Sequence, residues 1–350
     1  MNAPQQNTKK DIRSVSVEDL ATFFLQNGEP KFRAKQVLEW IWVKSATSFD
    51  GMTNISLKTR ELLSSAFAFY TLSLHKFQKS NDGTLKSAFA LHDGNLVEGV
   101  LIPHEDRMTA CVSSQVGCSL TCKFCATGYM ERVRNLQPYE IYDQVVAIHN
   151  QAIEHYGTPL TNIVYMGMGE PLLNYANVLK SIDRITAPDG LNMSPKRITL
   201  STAGVAKMIM KLADDGVKFN LALSLHAADD EKRNQIMPIN ESNTLKALKD
   251  ALTYFYQNTK NKITLEYILF YNFNDKEEDA QNLIAFAKNL PLKVNIIEYN
   301  PISEADFKNT SVDALEKFSA YLKRNGIVVN VRRSRGKDID AACGQLANKQ

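Results

Sequence analysis

The chain has 350 residues, of which 44% are hydrophobic and 23% charged, the composition of an ordinary globular protein of about two domains. No apolar run is long enough to cross a bilayer, and the amino-terminal MNAPQQNTKK lacks the apolar core of a secretory signal. We therefore expect a cytoplasmic protein that does not bind membranes. A formal net charge of +3 is too small to identify a nucleic-acid partner by itself.

The predicted elements begin with a helical unit. We expect residues 1–13 to form a disordered tail and residues 14–69 to form an accessory helical domain. Start signals for three helices lie at Ser16, Pro30 and Ser56, where a capping side chain or a proline precedes an apolar helical period.

Strand-like alternation replaces the helical period from Tyr70 onward. Turn signals at Asn81-Asp82-Gly83 and at His92-Asp93-Gly94-Asn95 separate short apolar runs. The pattern predicts an antiparallel β-meander over residues 70–106 that links the helical unit to the remainder of the chain.

Residues 107–350 read as the main domain. Strand-like runs alternate six times with helical stretches, and these runs are TACVSS, NIVYMG, RITLST, FNLALSL, ITLEYILF and VNIIEYN. Strand–helix alternation is typical of α/β proteins with a parallel sheet. We predict a partial (β/α)6 barrel of the TIM type. Catalytic groups of such barrels gather at the carboxyl ends of the strands, where several polar motifs of this chain also lie.

Three of the five cysteines, Cys118, Cys122 and Cys125, form a CxxxCxxC spacing. Three closely spaced thiolates can hold three irons of a [4Fe-4S] cluster and leave the fourth iron open for chemistry. The alternative is a structural zinc site with Cys111 as the fourth ligand. Zinc sites are more often built from separated CxxC or Cys/His pairs, so the spacing favours the cluster.

The motifs together resemble the RlmN/Cfr family of radical S-adenosylmethionine (SAM) RNA adenine methyltransferases. The matching segments are FRAKQVLEWIW, CVSSQVGCSLTCKFCATG, GMGEP, STAG, SLHA and RSRGKDIDAACGQL. The resemblance covers nearly the whole chain. It implies a radical SAM barrel, one [4Fe-4S] cluster held by Cys118, Cys122 and Cys125, and SAM chelated by the open iron.

The same resemblance implies a set of SAM contacts. In the GMGEP motif, a flexible backbone edge and a carboxylate would face the SAM amino group. The implied contacts are Gly169, Glu170, Ser201, Ser224, Leu225, His226 and Asn300. Taken singly, such residues are more often ordinary loop residues, so these assignments depend on the motifs.

Two further cysteines carry the implied chemistry, because C2 of adenine is too electron-poor to attack the SAM methyl group by displacement. In the family, the cysteine that matches Cys343 takes a methyl group as a thiolate, and a radical from a second SAM activates it for addition to adenine. Glu98 is the implied proton acceptor, and Cys111 the thiol that attacks Cys343 to leave a transient disulfide. Read alone, Cys111 could be a small buried hydrophobe and Glu98 a solvent-facing strand residue.

The resemblance implies methylation at C2 of adenine 2503 in 23S rRNA, with an adenine beside the tRNA anticodon as a further candidate. Methylation at C8 of the same rRNA adenine, as in the antibiotic-resistance branch, is one alternative. An RNA-binding module with a structural zinc is another. We expect a monomer that receives electrons from a donor such as flavodoxin or ferredoxin.

Basic residues mark two candidate RNA contacts. Seven Lys or Arg and no acidic residue lie between Lys317 and Lys337, a run that fits either an RNA surface or a solvated face. Lys31, Arg33 and Lys35 in the helical unit would position RNA through its phosphates.

Overall fold

The computed structural model describes residues 9–348. Residues 1–8 of the predicted disordered tail lie outside this range, and for the remainder the prediction is wrong. Lys10–Asp11 forms a short strand, β1, which pairs in parallel with Phe67–Ala68, β2. Asp11, Ile12 and Arg13 are buried. Contacts with residues far along the chain order this segment. The sequence analysis missed it because no local pattern reveals such partners.

Three helices follow β1, namely α1 (Val17–Gln26), α2 (Arg33–Trp42) and α3 (Leu57–Ala66). The Ser16 hydroxyl accepts a hydrogen bond from the Asp19 amide at 3.0 Å, and the Ser56 hydroxyl accepts one from the Thr59 amide at 3.2 Å. Both serines are therefore N-caps, as predicted. Pro30 instead precedes a turn, and α2 begins three residues later without a side-chain cap.

Arg13 fastens the helical unit to the main domain. Its guanidinium donates to both carboxylate oxygens of Asp143 at 2.8 and 2.7 Å and pairs with Asp11 at 2.9 Å. The ring centroid of Tyr139 lies 4.4 Å from the guanidinium carbon. Arg13 and Asp11 are buried, so losing the arginine would leave carboxylates without compensation in a poorly hydrated place.

Three antiparallel strands occupy the predicted meander, namely β3 (Ser73–Lys79), β4 (Leu85–Ala90) and β5 (Leu96–His104). The two predicted turns are each closed by an aspartate. The Asp82 carboxylate accepts a hydrogen bond from the Thr84 amide at 2.9 Å, and Asp93 accepts one from Asn95 at 3.1 Å. β5 pairs in turn with the first barrel strand, so the meander continues the main sheet.

The remaining strands are β6 (Arg107–Cys111), β7 (Gln115–Val116), β8 (Arg134–Asn135), β9 (Asn162–Tyr165), β10 (Ile198–Thr202), β11 (Asn220–Ser224), β12 (Ile263–Ile268), β13 (Leu292–Ile297) and β14 (Val328–Arg332). The helices between them are α4 (Pro138–Tyr156), α5 (Tyr175–Thr186), α6 (Ala206–Asp214), α7 (Asp230–Ile236), α8 (Leu245–Thr259), α9 (Glu277–Ala287) and α10 (Val312–Arg324). β7 and β8 form a small antiparallel pair, and the other strands of this set are parallel.

One ten-stranded sheet has the order β14-β13-β12-β11-β10-β9-β6-β5-β4-β3, with β14 and β3 at its two edges. All six predicted barrel strands are present, and the α/β barrel is confirmed. The seventh parallel strand, β14, was missed because only Val329 of its five residues is buried, which leaves no alternating apolar pattern. Between residues 9 and 348, no helix has both the length and the apolar character that a membrane span requires.

We expect Arg13→Met to lower the free energy of unfolding of the helical unit by about 3–5 kcal/mol, because it strands buried carboxylates. The two tryptophans of the chain, Trp40 and Trp42, both lie in this unit, so their fluorescence during urea denaturation reports it directly. Lys246→Met, which breaks the exposed pair with Asp250, is the control and should not move the transition. Equal midpoints for the two variants would contradict the docking role of Arg13.

Candidate active site

The predicted site residues converge on one end of the barrel. Glu170 follows β9, Ser201 lies in β10, Ser224 ends β11 and Asn300 follows β13, so all four stand at carboxyl ends of parallel strands of one sheet. The cysteine loop, residues 117–128, enters the same end from β7. Direct contacts, given below, join these elements.

The thiols of the cysteine loop interact with one another. Burial raises the pKa of Cys122 well above its usual value, and negative charge on Cys125 and Cys118 raises it further. Burial also raises the pKa of Cys118 to about 11, against an opposing hydrogen bond from the Leu120 amide. Buried thiolates this close together are unfavourable unless positive charge compensates them. The irons of the predicted [4Fe-4S] cluster would supply that charge.

Backbone geometry prepares the loop for such a group. Amides of Gly128 and Thr127 donate to the Cys125 sulfur and lower its pKa against the raising effect of burial. Among residues 9–348, no three His, Cys, Asp or Glu side chains gather closely enough to ligate one metal ion. A [4Fe-4S] cluster makes a different demand, because each thiolate binds its own iron.

Gly128 allows the loop to fold back on itself. A Cβ atom at this position would lie 2.6 Å from the Cys122 carbonyl oxygen and 2.9 Å from its amide nitrogen. Both contacts are with backbone, which cannot move aside as a flexible side chain would. A residue other than glycine would therefore displace Cys122 from the other two cysteines.

His226 braces the cysteine loop. Its ring packs edge-on against Phe124 with centroids 4.7 Å apart, and its Nδ1 accepts a hydrogen bond from the Ile268 amide at 3.1 Å. Burial, and then the charge of Arg233, lowers the pKa of His226 to about 3, so the ring is neutral. The SAM contact predicted for His226 stays a prediction; the contacts of its side chain are with the protein.

Glu170, which follows β9, makes a hydrogen bond to the backbone at the end of β10, beside the cysteines. One carboxylate oxygen accepts from the Ala203 amide at 2.7 Å and the other from the Leu172 amide at 3.0 Å. Its charge raises the pKa of Cys118, which places it near the loop. Gly169 has φ +93° and approaches Gln115 so closely that a Cβ atom would lie 2.5 Å from that side chain. The GMGEP turn is thus rigidly held.

Arg233 is a site residue that the sequence analysis missed. It is fully buried, and its guanidinium donates to the carbonyl oxygens of Ala203 at 2.6 Å, Leu225 at 3.0 Å and Ser224 at 3.1 Å. These bonds fix the backbone of two predicted SAM contacts, Ser224 and Leu225. Burial lowers the pKa of Arg233 to about 10, and the Cys122 charge opposes that shift. Nothing in its local sequence marks it out.

Cys111 and Cys343 come together at the mouth of the barrel. Burial raises the pKa of Cys111, at the end of β6, to about 12, and the charge of Cys343 is the next contribution. Cys343 is exposed, yet burial of its thiol raises the pKa to about 11. All five cysteines are free in this structure.

Charged groups near Cys343 shift the pKa of its thiol in both directions. Negative charge at Cys125 and Glu266 adds to the effect of burial, while the Arg332 cation acts in the opposite direction. Arg332 ends β14, and its guanidinium lies 3.6 Å from the Glu266 carboxylate. It is therefore the local cation that favours a thiolate at Cys343.

The C-terminal segment, residues 333–348, presents Cys343 to the cysteine loop. The Ala126 amide donates to the Gly344 carbonyl at 2.7 Å, and the Thr127 hydroxyl donates to the Leu346 carbonyl at 2.5 Å. Asn300 donates from its side-chain nitrogen to the Cys343 carbonyl at 3.1 Å. In the described chain its side-chain oxygen is buried without a partner, so it can accept a hydrogen bond from a cofactor.

Glu98 is only 2% exposed, so the solvent-facing alternative is wrong. One of its carboxylate oxygens lies 2.9 Å from the Lys86 ammonium, and the other accepts from the Ala347 amide at 2.9 Å. The predicted base thus lies beside the C-terminal segment, because its partner Ala347 is four residues after Cys343 in sequence. Its charge is compensated by a buried lysine.

Comparisons with known proteins agree with this geometry. Residues 112–284 match the model of the Radical SAM superfamily. The crystal structure of a radical SAM methyltransferase from Sphaerobacter thermophilus superimposes with a TM-score of 0.91 at 36% identity, over 97% of this chain and 100% of that one. Fold and site therefore define a radical SAM enzyme, which implies a [4Fe-4S] cluster and SAM and overturns the structural-zinc alternative.

The amino-terminal unit narrows the assignment. Residues 10–68 match the model of the ribosomal RNA large subunit methyltransferase N-terminal domain. A probable dual-specificity RNA methyltransferase RlmN from Cytophaga hutchinsonii is 65% identical over 98% of this chain and 94% of its own. The dual-specificity RNA methyltransferase RlmN from Geobacter sulfurreducens is 42% identical over 98% and 93%. The chain belongs to the RlmN family of radical SAM RNA methyltransferases.

We expect Gly128→Ala to bind much less iron than the native protein after anaerobic reconstitution, because the added methyl group collides with the Cys122 backbone. Iron and sulfide analysis measures the loss. Gly51→Ala is the matched control, since its Cβ would approach nothing closer than 3.8 Å. Full iron content in Gly128→Ala would show that the loop can rearrange without cost.

Proposed function

We propose that this RNA methyltransferase transfers a methyl group to C2 of adenine 2503 in 23S rRNA, and to an adenine beside the tRNA anticodon, through S-methylation of Cys343. One observation carries the proposal. Hydrogen bonds hold Cys343 beside the cysteine loop, from the Ala126 amide to the Gly344 carbonyl at 2.7 Å and from the Asn300 side chain to the Cys343 carbonyl at 3.1 Å, and the charge of Cys343 also raises the pKa of Cys111.

Cys118, Cys122 and Cys125 would hold the cluster, with Glu170 and the Asn300 side-chain oxygen facing SAM. When bound, the cluster and SAM supply a methyl donor and a hydrogen-abstracting radical. Arg332 stabilises the Cys343 thiolate that receives the methyl group, which offsets part of the cost of ionising a thiol of pKa about 11. The proton must leave before or during that transfer.

Two groups of the chain, Glu98 and Cys111, then complete the transfer. Once the methyl carbon of Cys343 is joined to C2 of adenine, Glu98 accepts the ring proton, and the unpaired electron left on the adduct would pass to the cluster held by the three loop cysteines. The Cys111 sulfur attacks the Cys343 sulfur and forms the S–S bond, while the electron pair of the breaking S–C bond passes to the methylene carbon on adenine, which takes up the proton given up by the Cys111 thiol and becomes the methyl group. Burial of Cys111 keeps this thiol away from competing oxidants until the adduct exists.

RNA must reach a thiol at the mouth of the barrel, so the target adenine has to be unstacked from its neighbours. Lys31, Arg33 and Lys35 of the helical unit are proposed phosphate contacts. The names of the relatives support an RNA substrate, and we place the protein in the cytoplasm with rRNA. We also propose that the protein is a monomer and receives its electrons from a flavodoxin- or ferredoxin-type donor.

We expect Cys111→Ala to accumulate a covalent RNA–protein adduct through Cys343, because no thiol remains to release it. Denaturing gel electrophoresis with labelled RNA detects the adduct, and Cys111→Ala/Cys343→Ala is the control that should form none. Normal turnover by Cys111→Ala would refute the resolving role. Mass spectrometry of the digested product RNA separates methylation at C2 from methylation at C8.

A further inference from the structure

Two aspartates connect the C-terminal segment to the β3–β4 turn in a reciprocal arrangement. Asp82 of the turn accepts a hydrogen bond from the Gly336 amide of the segment at 2.9 Å. Asp338 of the segment accepts from the Ser80 hydroxyl at 2.5 Å and from the Asn81 amide at 3.0 Å. Each aspartate carboxylate thus accepts a hydrogen bond from a backbone amide near the other aspartate. We call Asp82 and Asp338 the aspartate clasp.

The backbone at the clasp has little freedom. Gly336 has φ +67°, and a Cβ atom there would lie 2.7 Å from the Ala341 side chain and 2.9 Å from that of Thr84. The Ala341 amide donates to the Gly336 carbonyl at 2.9 Å and closes the turn that leads to Cys343. The second carboxylate oxygen of Asp82 accepts from Thr84 at 2.9 Å. Because only a few residues separate the clasp from Cys343, fixing the backbone at Gly336 also restricts where the Cys343 thiol can lie.

The topology explains why a clasp is needed. The C-terminal segment leaves β14 at one edge of the sheet and crosses the mouth to reach the turn beside β3 at the other edge. The Lys86 ammonium, on the strand after the turn, donates to the Asp340 carbonyl at 3.1 Å. The meander therefore fixes a segment whose own strand lies on the far side of the sheet.

Both carboxylates are suited to accept these hydrogen bonds as anions. Burial acts to raise the pKa of Asp82, but hydrogen bonds from Gly336 and Thr84 outweigh it and the net shift is downward. Hydrogen bonds from Ser80 and Asn81 lower the pKa of Asp338. The clasp is thus closed at neutral pH.

We propose that Asp82 and Asp338 are positioning residues that set the place of Cys343 between the cysteine loop and Cys111. The inference rests on the proposed function for the role of Cys343 as methyl carrier. It adds that the β3–β4 turn, far from the cysteines in sequence, controls how efficiently radical formation is coupled to methyl transfer. Loss of the clasp should uncouple the two, because a displaced Cys343 still leaves the cysteine loop intact.

The test compares holoenzymes of Asp82→Ala, Asp338→Ala, the double variant and Asp93→Ala. Asp93 is the matched control because it closes the other meander turn through Asn95 and contacts Arg134, which lies outside the C-terminal segment. Hydrogen exchange of residues 336–348 should accelerate roughly tenfold or more in each single clasp variant, and little further in the double variant. Exchange unchanged from the native enzyme, or fully additive effects, would overturn the clasp.

Coupling is measured as methylated RNA formed per 5′-deoxyadenosine released. We expect this ratio to fall roughly tenfold in the clasp variants, with 5′-deoxyadenosine release and iron content retained, and to stay native in Asp93→Ala. A native ratio in the clasp variants would overturn the positioning role. If native Cys343 never carries a methyl group, the proposed function fails instead, and the hydrogen-exchange measurement still decides whether the clasp holds the segment.

Discussion

Buried negative charge is the constraint around which this barrel mouth is built. Three thiols and the carboxylate of Glu170 share a space from which water is largely excluded, and the charges of Cys125 and Glu170 raise the pKa of both Cys118 and Cys122. Backbone amides and the Arg233 guanidinium stabilise these negative charges. The guanidinium also hydrogen-bonds to the adjoining strand ends. The same contacts that make the charges tolerable therefore hold the strand ends in place.

Around this centre, the sheet supplies functional groups from both its parallel and its antiparallel parts. The parallel strands present Glu170, Ser224 and Asn300, while the antiparallel meander provides Glu98 and the contacts that hold the C-terminal segment. Joining β5 to β6 thus does more than extend a sheet. It brings the Glu98 carboxylate to the Ala347 amide of the C-terminal segment, which lies far from Glu98 in sequence.

The sequence was most informative where chemistry fixes spacing or where burial fixes a period. The CxxxCxxC spacing revealed the cysteine loop, and six apolar runs revealed the central strands. Long-range polar contacts leave no such mark. In the sequence, Arg13 looks like one residue of a polar tail and Arg233 looks like one charged residue of a helix. Only their partners in the structure show their roles. β14 escaped notice because it is an edge strand with one buried residue.

The position of Cys343 near the end of the chain has a consequence for biosynthesis. Roughly 220 residues separate the cysteine loop from Cys343, which corresponds to about 10–45 seconds of translation at roughly 5–20 residues per second. The segment that contacts the loop through Gly344 and Leu346 is thus synthesised well after the loop itself. During that interval the three cysteines lack the hydrogen bonds that the segment makes to Ala126 and Thr127, so the loop is more accessible then than in the folded protein.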